Sequence, residues 1–255
     1  MNIIFIIAGG SFRKGSRGNK NFGSENSYDE QIKASKSHIA FLEHIKKKYN
    51  LTISIIISTY STKYNNDLIN IYNDYIVDIN IFKYNNENDL IGIHRMFHES
   101  YKDHLKNYDA MFFFRIDIVL KQKLFDIFDP NSQKILFPFI CSKINILNGH
   151  IDDRYPSGHP KHSDILLFIP KKYFYIINHI DLGHWTWEKL VVGSGRKNRK
   201  NILRYDDLDC MIYTYHDSNS ENDWNPLYYI VNREQACFES WNDCGIFDKK
   251  NYNYI

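Results

Sequence analysis

Apolar residues along this chain fall into short unbroken runs separated by segments of helical period, the pattern of strands buried on both faces alternating with helices that cover them. Met1–Ala8 predicts a buried strand stopped by Gly9-Gly10, and a polar loop rich in Gly, Ser, Lys and Arg follows from Ser11 to about Glu30. From Gln31 to Tyr49 the apolar positions Ile32, Ile39, Leu42 and Ile45 recur at helical spacing, and Lys46-Lys47-Lys48 suit the negative end of a helix dipole. Ile53–Ile57 predicts a second strand running out into Ser58-Thr59-Tyr60-Ser61-Thr62. A short helix over Asp67–Tyr75, a third strand over Tyr75–Tyr84, a helix over Leu90–Leu105 and a fourth strand over Ala110–Phe114 complete the first half. Strand and helix in alternation predict βαβ units with right-handed crossovers, hence an α/β fold whose mostly parallel sheet is flanked by helices.

The second half is less regular. Lys134–Ile140 and Ser163–Pro170 predict strands, Lys171-Lys172-Tyr173-Phe174 starts a helix, and Leu208–Tyr215 is apolar enough for a strand or a buried helix. Between them Gly193–Lys200 has the composition of a basic loop. A length of 255 residues suits one substantial core, so residues 1–255 are expected to form a single domain with a regular half, 1–120, and a less regular half, 121–255. Hydrophobic residues at 43% exclude a disordered chain, and a net charge of +2 argues against a general polyanion surface, so no nucleic-acid partner is expected and any anion site must be local. Cys141, Cys210, Cys237 and Cys244 fit no common zinc spacing and read as reduced thiols of a cytoplasmic protein, with pairing of Cys237 and Cys244 left open. Ile3–Ala8 lacks the basic flank of a signal peptide, and no apolar run approaches the roughly 18 residues of a transmembrane segment.

Chemistry concentrates where strands end. Arg115-Ile116-Asp117 follows the apolar run Ala110–Phe114 and sets an Arg and an Asp on one pleat face where that strand is expected to reach the surface, a phosphate clamp beside a cation ligand. Ala8-Gly9-Gly10-Ser11-Phe12-Arg13 follows the first strand; its glycines would let a ligand approach the backbone, while Arg13, Lys14, Arg17 and Lys20 would meet phosphates or a base. Glu188, within Trp185-Thr186-Trp187-Glu188, is a candidate base beside indoles able to stack on sugar rings. His150, His159 and His162 with Asp152 and Asp153 sit among prolines and a glycine and read as an acceptor-side loop, and Arg196-Lys197-Asn198-Arg199-Lys200 as a solvated or phosphate-facing one. Neither a Gly-x-Ser-x-Gly elbow nor a Gly-x-x-x-x-Gly-Lys-Ser/Thr loop is present.

Tyr108-Asp109-Ala110-Met111-Phe112-Phe113-Phe114-Arg115-Ile116-Asp117 resembles the strand that carries Asp-x-Asp in glycosyltransferases of the GT-A fold, of the kind found in capsule, lipopolysaccharide and large-DNA-virus glycan pathways. The resemblance covers about the first two thirds of the chain and implies 1–120 as a nucleotide-binding half and 121–255 as an acceptor-side half. It implies a GT-A-like Rossmann-type sheet and transfer of a sugar from a nucleotide-sugar donor to a hydroxyl of a glycan or glycoprotein acceptor. It also implies Mn²⁺ or Mg²⁺, with Asp117 at the metal position and Arg115 in place of the first Asp, a departure that puts metal dependence in question. It further implies Asp164 as base, in competition with Glu188, and His216 as a late metal ligand. Gly9-Gly10 with Arg13 is similar to the signature of sugar-phosphate nucleotidylyltransferases, departing from it after Gly10. Such an enzyme is the alternative, and a non-catalytic carbohydrate-binding protein the third reading.

Overall fold

Asn2–Ala8 forms β1, buried on both faces by alternation: Ile3, Phe5 and Ile7 join one hydrophobic cluster, and Ile4, Ile6 and Ala8 join another. The computed structural model describes residues 1–14, 21–84, 93–101, 104–141, 161–162, 166–177, 210–215 and 227–231. After β1 come α1 (Tyr28–Tyr49), β2 (Thr52–Tyr60), α2 (Asn65–Tyr72), β3 (Ile76–Phe82), α3 (Ile93–Tyr101) and β4 (Ala110–Arg115). The chain continues through β5 (Ile118–Leu120), α4 (Gln122–Ile127), β6 (Ile135–Cys141), β7 (Lys161–His162), β8 (Leu166–Pro170), α5 (Phe174–Ile177), β9 (Cys210–Tyr215) and β10 (Tyr228–Ile230).

The main sheet runs β3-β2-β1-β4-β8-β6-β7, with β9 also on β6. The four strands β3, β2, β1 and β4 are mutually parallel, as the alternating pattern predicts. Beyond them β8 runs antiparallel to both β4 and β6, and β9 lies parallel to β6, which resolves Leu208–Tyr215 as strand rather than helix. A separate ribbon pairs β5 with β10; neither strand is expected from the sequence, because three residues carry too little periodicity to read.

One sheet face packs on α1 and α2 through Phe41, Leu42, Ile45, Leu68 and Tyr72. The other packs on α3 and α5 through Met96, Phe97, Tyr101 and Ile177. Phe112 centres the first cluster, with its ring stacked on Phe128 at 5.0 Å and tilted against Phe5 at 5.4 Å. Asp29 and Glu30 in the first turn of α1 and Lys46, Lys47 and Lys48 in its last both complement the helix dipole, and Asn50 ends the helix in the left-handed region at φ 52°. The helix begins three residues before the expected Gln31, since Tyr28 stacks on Phe12 at 5.6 Å and gains a tertiary contact that no local pattern announces.

The strand β2 extends past Ile57 through Ser58, Thr59 and Tyr60, all buried. The Ser58 and Thr59 hydroxyls have internal partners: the Ser58 Oγ donates to the Met96 carbonyl at 3.2 Å and the Thr59 Oγ1 to the Ser11 Oγ at 3.0 Å. Among the described residues no helix is long and apolar enough to cross a membrane.

Candidate functional site

The order β3-β2-β1-β4 means that the chain leaves β1 toward β2 on one side and returns to β4 on the other. Connections that diverge from two adjacent parallel strands open a crevice beyond their carboxyl ends, the place where ligands bind in open α/β sheets. The register puts Ala8 beside Arg115, and the Ile116 N–H donates to the Ala8 carbonyl at 2.9 Å. The two sequence candidates, the glycine loop and Arg115-Ile116-Asp117, therefore leave the sheet side by side from adjacent strand ends.

The loop after β1 is held by side chains rather than left to solvent. Gly9 has φ 132°, a conformation side-chain-bearing residues rarely adopt, and its N–H donates to the Ser58 carbonyl at 3.0 Å. At Gly10 the neighbour filling the space of a side chain is Phe22, whose ring carbon would lie 1.9 Å from an added Cβ. Here the missing side chain admits an internal aromatic ring, not the ligand expected from the sequence. Ser11 is fully buried; its N–H donates to Thr59 Oγ1 at 3.1 Å, and the Thr59 hydroxyl donates to Ser11 Oγ at 3.0 Å. Phe12 sits at φ 50°, with its ring packed against both Tyr28 and Tyr64, and its N–H donates to Gln31 Oε1 at 3.1 Å. Arg13 follows half-buried, and Lys14 is exposed and bridged to Asn21 by backbone hydrogen bonds of 2.8 and 3.1 Å. Arg17 and Lys20 lie outside the described residues.

Arg115 and Asp117 form a bidentate pair: Nε donates to Oδ1 at 2.8 Å and Nη2 to Oδ2 at 2.5 Å. The sequence places these charges at the surface, and the structure corrects that. Arg115 is 7% exposed and Asp117 2%, because the segment after β4 does not turn out to solvent but enters β5, which β10 covers. The Val231 N–H donates to the Asp117 carbonyl at 2.9 Å and extends that cover. Burial makes the pair mutually dependent: removing one partner of a buried ion pair costs about 3–5 kcal/mol, since the other charge stays desolvated.

Helix α1 splints the stretch after β4 with three side chains. The Gln31 Nε2 donates to the Ile116 carbonyl at 2.8 Å, His38 Nε2 lies 2.7 Å from the Ile118 carbonyl, and the Leu120 N–H donates to Ser37 Oγ at 3.0 Å. A carbonyl only accepts, so His38 carries its proton on Nε2 and its Nδ1 accepts from the Tyr72 hydroxyl at 2.6 Å. Complete burial pushes the imidazole down to about 3, against the opposing pull of the Ile118 carbonyl and the Asp117 charge, so His38 is neutral. Burial likewise raises the Tyr72 hydroxyl well above its ordinary value.

Gln31, His38, Thr59 and Tyr72 are not singled out by the sequence pattern. A signal existed for two of them: the buried stripe of α1 is Gln31, Ala34, Ser35, His38, Phe41, Leu42 and Ile45. Counting toward the N-terminus from Phe41 by threes and fours lands on polar residues, and polar residues on a buried stripe imply specific partners.

The remaining candidates, Asp164, Glu188 and His216, lie outside the described residues, as do Trp185, Trp187 and the basic run 196–200. Of the histidine cluster only His162 has a described backbone, in β7. For a divalent cation the fit is poor among the described residues: no group of three His, Cys, Asp or Glu side chains comes together, and the Asp117 carboxylate already faces the guanidinium of Arg115.

Neither a protein-family model nor a curated protein matches this chain. Among solved structures it is similar to 4-diphosphocytidyl-2C-methyl-D-erythritol synthase from Anaerococcus prevotii, with a TM-score of 0.45, 11% identity and coverage of 95% of this chain and 96% of that one. It is similar to the inositol-1-phosphate CTP transferase of T. maritima at TM-score 0.42 and 11% identity, covering 97% and 98%. A Drosophila β1,4-galactosyltransferase 7, in complex with manganese, UDP-Gal and xylobiose, matches at TM-score 0.38 and 9% identity, covering 98% of this chain and 78% of that one. At TM-scores below 0.5 these likenesses carry no weight for function, and the α/β assignment stands on the sheet order and register.

Proposed function

We propose that this chain is a nucleotide-sugar-dependent glycosyltransferase that moves a sugar from a nucleoside diphosphate to a hydroxyl of a glycan or glycoprotein. One observation carries the reading: the reversal of strand order between β1 and β4 brings the Gly9-Gly10 loop and the Arg115-Asp117 pair to adjacent strand ends, Ala8 opposite Arg115. Transfer from such a donor expels a diphosphate, and its leaving charge must be neutralised where the bond breaks. A planar guanidinium held in a fixed orientation by a carboxylate suits that task, since Arg binds phosphate oxygens through paired N–H groups.

The remaining roles extend the same reading. Gly9 and Arg13 border the nucleotide while Gly10 shapes that loop by admitting the Phe22 ring, Arg115 takes the diphosphate, and Asp117 orients Arg115. The base is Asp164, with Glu188 beside Trp187 as its rival. The Mn²⁺ or Mg²⁺ site at Asp117 and His216 that the resemblance implies is not part of this reading, because both Asp117 carboxylate oxygens already pair with Arg115. The nucleotide sugar and a glycan acceptor are the partners, and a soluble cytoplasmic setting is part of the proposal.

Thermal unfolding with nucleoside diphosphates and nucleotide sugars, with and without Mn²⁺, tests it. A ligand at about 100 times its Kd adds roughly 2.7 kcal/mol of stability. Stabilisation by a nucleoside diphosphate, followed by sugar transfer to an acceptor hydroxyl, supports the reading, and a response only with Mn²⁺ would assign the metal. Pyrophosphate release from a sugar 1-phosphate and a nucleoside triphosphate would replace it with nucleotidylyl transfer. Binding of saccharide without any nucleotide would make the protein a lectin-like binder.

A further inference from the structure

The two ends of the Gln31 side chain hydrogen-bond to the two segments that leave the adjacent strands β1 and β4. Its Oε1 accepts from the Phe12 N–H at 3.1 Å in the loop after β1, and its Nε2 donates to the Ile116 carbonyl at 2.8 Å in the turn between Arg115 and Asp117. The side chain is 1% exposed and its amide is used at both ends, so a rotation that freed one bond would leave a buried polar group unmatched. The residue it holds in the loop is Phe12, which at φ 50° is in the left-handed region and stays there only because its surroundings impose it. The residue it holds in the turn stands between the two members of a buried ion pair whose orientation follows the backbone at 116.

We infer that Gln31 is a positioning residue that locks the glycine loop and the Arg115-Asp117 turn at a fixed separation, so that both present their groups to the same diphosphate. This rests on the reading of the crevice as a nucleoside-diphosphate site. The other bonds of the α1 splint serve a different end: Ser37 and His38 reach Leu120 and Ile118 in β5 and make no hydrogen bond to the loop after β1. Gln31 alone among the three spans both segments.

The test compares the full chain with Gln31→Met, Gln31→Glu and Ser37→Ala. Gln31→Met keeps the length and removes both hydrogen bonds. Gln31→Glu keeps an acceptor for the Phe12 N–H and sets lone pairs against the Ile116 carbonyl. Ser37→Ala removes a comparable bond to β5 and leaves the crevice alone. Each variant is checked for fold by far-UV circular dichroism, for amide hydrogen exchange over residues 9–14 and 115–118, and for affinity by calorimetric titration with UDP, GDP, CDP and ADP.

In Gln31→Met, protection should fall in both segments together and the affinity of whichever diphosphate binds the wild type should weaken by about tenfold or more. Gln31→Glu should lose protection mainly over 115–118 and fall between the two in affinity. Ser37→Ala should lower the melting temperature and leave both segments and the affinity unchanged. A folded Gln31→Met that binds the diphosphate as tightly as the wild type overturns the inference and spares the proposed function. A wild type that binds none of the four nucleotides overturns the proposed function, and this inference with it.

Discussion

Lowering the pH from 7.5 to 5.0 should expose the burial of His38 as a loss of stability. In the unfolded chain its imidazole titrates near 6.5, whereas in the fold burial holds it down to about 3. As pH falls through 6.5 the unfolded state takes up a proton that the native state refuses, so stability present above 6.5 declines until about pH 3 and is constant below. Each pH unit inside that window is worth about 1.4 kcal/mol, so at pH 5.0 the contribution is a loss of about 2 kcal/mol relative to pH 6.5 and above. The imidazole is fully buried, so solvent screening does not dilute the figure. Urea unfolding at pH 7.5, 6.5, 5.5 and 5.0, for wild type and His38→Gln, isolates it from the carboxylates that titrate in both proteins. The substituted side chain retains an amide able to donate toward Ile118 and accept from Tyr72 but has no proton to gain, so the stability of the variant should fall less steeply, by about 2 kcal/mol over the window. Parallel curves for the two proteins would refute the neutral, buried imidazole, as would ring proton resonances of His38 that shift with a midpoint near 6.5.

Replacing Asp117 with Asn should abolish sugar transfer without altering the far-UV spectrum, and should cost about 3–5 kcal/mol in urea unfolding because Arg115 loses its buried counter-charge; full activity would take Asp117 out of the site. Gly10→Ala should destabilise by about 1–3 kcal/mol, since the added carbon meets the Phe22 ring at 1.9 Å, and a variant as stable as wild type would show that this ring is not packed there. Phe112→Ala should cost about 3–5 kcal/mol, through a cavity bounded by Phe5, Phe128 and Phe168, and a loss under about 1 kcal/mol would place Phe112 outside the core.

What could be read from residues alone was what depends on near neighbours in the chain. The runs Ile3–Ala8, Ile53–Ile57 and Ala110–Phe114 are too apolar for anything but strands covered on both faces, and the helical spacing up to the lysines at 46–48 marks the crossover between the first two. From these the parallel α/β sheet followed, and with it the expectation that ligand chemistry would sit at Gly9-Gly10 and at Arg115 and Asp117. Pairing across 107 residues was not legible in that way: that β4 lies beside β1 and brings Arg115 to Ala8 is decided by which order buries both faces of these two inner strands. The ribbon of β5 and β10 joins residues more than a hundred positions apart, and it is this cover that turns a pair expected at the surface into a buried one. Gln31 and His38 make the same point from inside a correctly expected helix. Periodicity tells which face of α1 is buried, but only the packed structure decides which carbonyls and N–H groups lie opposite a polar residue on that face, because a hydrogen bond is fixed by position in space while hydrophobic burial is satisfied by almost any apolar surface.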